Sequence, residues 1–277
     1  MANQIAVWLH TRRGDAIALH KTAHINQYEA GAPAVLSSVM MRTLDGEAGI
    51  ISPESLRAAF GPRDPHRAPT TMLCVEDTAN KGGGTVYPLE RLDELAQIAR
   101  QHNASTHIDG ARFFNAEVAS GVSVKRRALH YDTVSICFSK GLGAPVGSAL
   151  CLPKDWLEEA KRVRKIFGGG MRQSGLLAAA ADYALEHNIP QLEEDHRNAA
   201  LLAHSLRDMG FKVQSATNMV YFTAKKAQTL IKRLELDNIW ALALGPETIR
   251  MVTHLPITEQ DIKEVCHSIS LYRTEHL

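Results

Sequence analysis

Apolar and polar positions along this chain follow two different periods. Short candidate strands, mostly apolar, recur at Ala16-Ile17-Ala18-Leu19, Met72-Leu73-Cys74-Val75, Thr106-His107-Ile108-Asp109, Thr133-Val134-Ser135-Ile136-Cys137-Phe138 and Ala149-Leu150-Cys151-Leu152, the third being short and resting partly on its flanks. Runs this short and this apolar read as buried strands. The stretches between them carry a helical period instead. From Pro88 to His102, Leu89, Leu92, Leu95, Ile98 and Ala99 share one helical face. Ser52-Pro53-Glu54 opens a further helix, with Ser52 as N-cap and proline in the first turn. Alternating strands and helices predict an α/β fold with a mostly parallel sheet covered on both faces.

Beyond about residue 155 the pattern changes. Residues 155–167, 171–187 and 189–209 read as successive helices. Strands are predicted at 219–222, 240–244 and 249–252, with helices over 225–236 and 258–271 between them. The expected organisation is a large domain, residues 1–190, followed by a small α+β C-terminal domain, residues 191–277.

Composition narrows the function. A chain of 277 residues buries enough surface to need neither disulfide nor metal. A formal net charge of +1 argues against a nucleic-acid partner. Cys74, Cys137, Cys151 and Cys266 lie far apart in apolar runs and are expected to be buried core thiols. Neither they nor the thirteen histidines show metal-ligand spacing, so no metal is expected. No apolar run is long enough to cross a membrane, and the first residues lack the features of a signal peptide. The expectation is a cytoplasmic protein without a membrane partner.

Candidate chemistry lies just after the predicted strands. Asp109-Gly110-Ala111-Arg112 follows one strand and Ser139-Lys140-Gly141 follows the next. Parallel sheets bind ligands at the carboxyl ends of their strands, so a carboxylate, a guanidinium and an amine converge there. Gly168-Gly169-Gly170 precedes the helix predicted from Met171, where free N–H groups would suit a phosphate. Pyridoxal 5'-phosphate (PLP) requires such a set: a lysine to bond its aldehyde, an acid to keep its ring nitrogen protonated, and donors for its phosphate. Taken singly, the same residues also read as a turn, a surface lysine and a flexible loop.

Longer segments separate these readings. His107-Ile108-Asp109-Gly110-Ala111-Arg112-Phe113-Phe114-Asn115-Ala116, the segment Cys137 to Ser148, and Gly168-Gly169-Gly170-Met171-Arg172-Gln173 resemble motifs of the low-specificity L-threonine aldolase family. So do Ala23-His24-Ile25 with Tyr28-Glu29-Ala30, Glu193-Glu194-Asp195-His196, Thr217-Asn218-Met219 and the segment Ile249 to His254. The resemblance runs nearly end to end. It implies the aspartate-aminotransferase fold (PLP fold type I), usually assembled as a homo-oligomer, dimer or tetramer. It also implies roles. Lys140 would anchor PLP, Asp109 would pair with its ring nitrogen, and His24 would stack on the ring as a third catalytic residue. Arg112 would contact the cofactor's hydroxyl oxygen and the substrate carboxylate, and Arg250 would clamp that carboxylate. Lys165 and Arg172 would reach the phosphate of a neighbouring subunit's cofactor. The implied reaction cleaves L-threonine, L-allo-threonine or related β-hydroxy-α-amino acids to glycine and an aldehyde. A different PLP reaction on amino acids, β-elimination or racemisation, or a non-catalytic truncated homologue are the alternatives.

Two departures from the family pattern bear on this. Ala79 stands where many members carry a histidine associated with the substrate hydroxyl, which leaves that role to water or His24, or implies a different preferred reaction. The family's N-terminal segment, with a Ser-Gly-Thr turn that cradles the phosphate, would lie before Met1. Without it, weak cofactor occupancy and exposure of Trp8 or Leu9 are expected.

Overall fold

The computed structural model describes residues 1–62 and 64–276. Six strands form the larger sheet: β1 (Ala16–His20), β2 (Met40–Leu44), β3 (Thr70–Glu76), β4 (Ser105–Gly110), β5 (Thr133–Cys137) and β6 (Ser148–Cys151), in the order β2-β1-β3-β4-β5-β6. The first five run parallel, and β6 returns antiparallel to β5. All five strands expected in this half are present. β2 was not expected, because Met40-Met41-Arg42-Thr43-Leu44 is a half-exposed edge strand with a polar centre.

Covering on both faces explains the apolar runs. Ile17 and Leu19 of β1, with Met72 and Cys74 of β3, pack against Val7 of the Ala2–His10 helix. Ala18, Leu73 and Val75, one residue out of step, face the opposite core with Leu56, Leu92, Leu95 and Phe113. That core is supplied by the helices Pro53–Ala59, Leu89–Gln101 and Phe113–Ser120. Ser52 caps the first of these by accepting a hydrogen bond from the Ser55 amide (3.1 Å).

The second sheet is antiparallel: β7 (Lys212–Ala216), β8 (Met219–Thr223), β9 (Leu242–Ala243) and β10 (Thr248–Val252), ordered β7-β8-β10-β9. Its core joins the helices Leu192–Asp208, Ala227–Leu236 and Glu259–Tyr272. β7 was missed because its sequence is mostly polar, and the strand expected at 240–244 shrinks to two residues.

Three expectations need correction. The helix expected from Met171 begins at Gly175, so the glycine triplet does not open it. Instead the amides of Gly168 and Gly169 bond Lys165 O and Arg164 O, closing the Leu157–Ile166 helix, with Gly168 at φ +84°. Of the four cysteines only Cys74 is buried; Cys151 is exposed on the edge strand β6. Trp8 and Leu9 are partly buried beside Val163 and Phe167 rather than exposed.

One buried ion pair fixes the strand ends beneath the site. Arg127 Nη2 lies 2.6 Å from Asp77 Oδ2, with side chains 1% and 0% exposed. Arg127 also donates to the Tyr87 carbonyl (2.7 Å), and Asp77 Oδ1 accepts from the Tyr87 amide (3.1 Å). The Asp77 amide in turn donates to the Asp109 carbonyl (3.0 Å). Removing one partner strands the other charge in the core. Arg127→Ala should therefore lower unfolding stability by about 3–5 kcal/mol, measured by urea denaturation. A loss below about 1 kcal/mol would show that water reaches Asp77.

Candidate functional site

Parallel strands bring their carboxyl ends to one edge, and the residues just beyond them line a single cavity of about 520 Å³. Asp109, Arg112, Lys140, His24 and Arg250 all lie on its wall, as do Asn3, Gln4, Glu29, Glu76, Asn80 and Ser135. Arg250 comes from β10, so the second sheet contributes to the cavity. Lys165 and Arg172 do not line it; both are exposed on the outer surface.

Glycines hold the key side chains in place. A Cβ on Gly110 would lie 2.5 Å from the Ser135 carbonyl oxygen and 3.0 Å from Phe113 Cβ. Only glycine lets the chain turn there from Asp109 to Arg112. After Lys140, a Cβ on Gly141 would lie 2.8 Å from Leu192 Cδ2 and 3.2 Å from Asn115 Oδ1. The turn carrying Lys140 is closed by Gly143 N–H donating to the Lys140 carbonyl (2.9 Å). Asn188 Nδ2 braces it from outside by donating to the Leu142 carbonyl (2.8 Å).

Carboxylates crowd this cavity. Asp109 and Glu76 are register partners on β4 and β3, and both are nearly fully buried. Burial, then the negative charge of Asp109, pushes Glu76 up to about 7, although its oxygens accept from the His24 amide (3.0 Å) and the Asn80 amide (3.2 Å). Burial and Glu29 likewise push Asp109 up, opposed by His24, Lys140 and Asn3. Glu29 behaves differently. Burial alone would raise it, but donors from His24 Nδ1 (3.0 Å), Asn3 Nδ2 (2.8 Å) and Gln4 Nε2 prevail and hold it at about 2. Its hydrogen bond to His24 in turn raises the imidazole above its ordinary 6.5, against desolvation.

Cationic donors face the same space. Arg112 Nε and Arg250 Nε are buried without a hydrogen-bond partner. Arg250 Nη1 approaches Asn80 Oδ1 at 3.4 Å, and the same oxygen accepts from the Tyr221 hydroxyl at 3.1 Å. Two guanidinium groups with spare donors call for an anion. A buried acid at a strand end, a lysine on the next turn and two such guanidiniums fit PLP and an amino-acid carboxylate in one cavity. The first turn of the Ala2–His10 helix borders the cavity through Ala2, Asn3 and Gln4.

The departure at residue 79 is resolved by packing. Ala79 is 3% exposed and does not line the cavity; a Cβ on Gly82 would lie 3.2 Å from its own Cβ. Asn80, its neighbour, is the residue that faces the cavity. Glu29, Glu76, Asn80 and Asn3 were not singled out from the sequence. Glu29 stood within the Tyr28-Glu29-Ala30 motif; Asn3 carried no signal.

Comparisons with known proteins agree with this geometry. The family model described as beta-eliminating lyase matches residues 1–227. The chain is 40% identical over 268 residues to the low specificity L-threonine aldolase of Escherichia coli (strain K12), covering 95% of this chain and 79% of that protein. It is 39% identical over 277 residues to the low-specificity L-threonine aldolase 1 of Arabidopsis thaliana, covering 95% and 77%. The solved structure of Leishmania major threonine aldolase superposes with a TM-score of 0.81 at 22% identity, covering 99% of this chain and 80% of the other. Serine palmitoyltransferase of Sphingomonas wittichii follows the same fold with a TM-score of 0.76 at 18% identity, covering 98% and 70%. By sequence and by overall fold, this chain belongs to the beta-eliminating lyase family and has the PLP fold type I architecture.

Proposed function

We propose that this chain is a PLP-dependent aldehyde-lyase that cleaves L-threonine, L-allo-threonine or related β-hydroxy-α-amino acids to glycine and an aldehyde. The observation that carries this reading is the cavity itself. It joins Lys140 and Asp109 to two guanidiniums with unpartnered donors, in a chain 39–40% identical to curated threonine aldolases.

When bound, PLP supplies an electron sink for the pair left on the substrate α-carbon as the Cα–Cβ bond breaks. The residues do the rest. Lys140 would anchor the cofactor and would return a proton to Cα. Asp109, at the end of β4, would hold the proton on the ring nitrogen. Arg112 would serve the cofactor's hydroxyl oxygen, and Arg112 and Arg250 would bind the substrate carboxylate. His24 would stack on the ring and take the hydroxyl proton. Its Nδ1 is bound to Glu29, which leaves Nε2 for the substrate and raises its basicity. The first turn of the 2–10 helix, which borders the cavity, would offer free N–H groups to the phosphate.

Finer points belong to the same reading. Lys165 and Arg172 lie outside the cavity, on a surface that also exposes Met171, Leu176 (83%) and Tyr183. This supports a homo-oligomer, dimer or tetramer, in which they serve a neighbouring subunit's phosphate. The separate cores of the two sheets support division into residues 1–190 and 191–277. Among the described residues no helix is long and apolar enough to cross a membrane, in keeping with a cytoplasmic enzyme.

Purified chain loaded with PLP should release equimolar glycine and acetaldehyde from L-threonine. Ammonia with an oxo-acid, or D-amino acid alone, would instead assign elimination or racemisation. Lys140→Ala should lose covalent attachment of the cofactor, read as the disappearance of the borohydride-trapped mass increase on its peptide; attachment elsewhere would refute the anchor. Asp109→Asn should retain bound PLP yet lose most turnover at saturating substrate.

The Glu29 contact also predicts a pH effect. Because the folded pKa of His24 is raised, its stabilising interaction with Glu29 is fully present below about 6.5 and fades as pH rises through the folded value. Glu29→Gln should lower the His24 pKa, followed by imidazole NMR titration, and move the acidic limb of kcat/KM to lower pH. An unshifted imidazole would remove Glu29 from the mechanism.

A further inference from the structure

Asn3 is the most connected polar side chain of the cavity, and none of its contacts is explained by binding substrate. Its amide nitrogen donates to Glu29 Oε1 (2.8 Å) and to Asp109 Oδ2 (2.9 Å). Its amide oxygen lies 2.6 Å from Ser135 Oγ and 3.2 Å from His107 Nε2. His107 is fully buried on β4, and its Nδ1 lies 2.8 Å from Thr133 Oγ1. That hydroxyl also contacts His10 Nε2 at 2.7 Å.

The direction of this chain is set at Glu29, whose carboxyl its donors hold at about 2. An ionised carboxylate accepts only, so the NH₂ end of Asn3 must face Glu29, and with it Asp109. Its oxygen then faces Ser135 and His107, which must donate. His107 therefore carries its proton on Nε2 and leaves Nδ1 bare to accept from Thr133 O–H. Thr133, having given its one hydrogen, accepts from His10 Nε2–H. The opposite polarity would aim the Asn3 oxygen at the Glu29 anion, or leave a buried N–H on His10 Nδ1 with no acceptor, since that atom has no partner. Burial keeps both rings neutral, with His10 lowered to about 4 and His107 to about 3.

We propose that Asn3 is a positioning residue that joins Asp109 and Glu29 to a one-way hydrogen-bond chain, His10 to Thr133 to His107 to Asn3, and so holds Asp109 as an acceptor for the cofactor's ring nitrogen. The proposal rests on the functional reading only in giving Asp109 that nitrogen; the wiring stands on this chain's own contacts. It links Asp109 to the His24–Glu29 pair through one amide, so the acid under the ring and the base beside it share a donor. Glu76, Lys140 and His24 are the other titratable groups facing Asp109, and none of them can replace a neutral two-donor amide there.

Selective ¹⁵N-histidine labelling of the cofactor-free protein reads the wiring directly. Long-range ¹H–¹⁵N spectra should show His10 and His107 as neutral Nε2–H tautomers from pH 5.5 to 8.5. An Nδ1–H or charged His107 would overturn the proposal without any variant being made. In Asn3→Leu, His107 should lose its single tautomer and PLP should bind about tenfold more weakly, the worth of one charge-assisted hydrogen bond. Asn3→Asp preserves size but removes the donors and adds a third negative charge, so it should bind PLP more weakly still. If Asn3→Asp matches wild type while Asn3→Leu does not, Asn3 only fills space and the proposal fails. A wild-type chain that takes up no PLP would count against the functional reading, while the tautomers would still decide the wiring.

Discussion

Everything in this cavity answers one constraint: two carboxylates, Asp109 and Glu76, sit side by side at the ends of neighbouring buried strands. Parallel pairing puts them there, since Glu76 is the register partner of Asp109. Burial and the charge of a neighbouring carboxylate favour the protonated form of each. The surroundings resist this with fixed donors. Backbone amides of His24 and Asn80 bond Glu76, and the Asn3 side chain bonds Asp109. Lys140, Arg112 and Arg250 supply positive charge around the same space. The site is thus built as a balance of opposed, largely buried charges, which is the setting in which a proton is easily moved.

The framework below is rigid for ordinary reasons. Apolar side chains alternate onto two cores from the same strands, and helices close both faces. That arrangement lets polar residues gather only where the strands end. Gly110 and Gly141 then allow the two turns carrying Arg112 and Lys140 to press against β5 and the 192–208 helix without a clash.

Much of this was legible in the sequence because buried strands are short and continuously apolar. Five of the six strands followed from short runs and their flanks, and the 89–101 helix from its period. β2 and β7 were invisible, since an edge strand with a polar face carries no periodic apolar signal. Asp109, Arg112, Lys140, His24 and Arg250 could be placed because they lie at strand ends or within recognisable motifs. Asn3 could not, because its meaning comes from Asp109, 106 residues away. Ala79 stood out only as a departure within a motif; its side chain is packed beside Gly82, off the cavity wall. The glycine triplet misled through a helix start placed four residues early, which turned a C-terminal closure into an apparent phosphate loop.

The Asp77–Arg127 pair has a consequence for how such a sequence can change over generations. Neither residue is reached by solvent, and each is tolerable in the core only because the other is present. A lineage that lost the arginine first would carry a stranded acid directly behind Asp109, and one that lost the acid first would carry a stranded guanidinium. The two positions are therefore inherited as a unit, and exchange for a neutral pair must pass through a less stable ancestor or happen in both places together. Relatives should hold both charges or neither, so this one contact can sort branches of the family by descent.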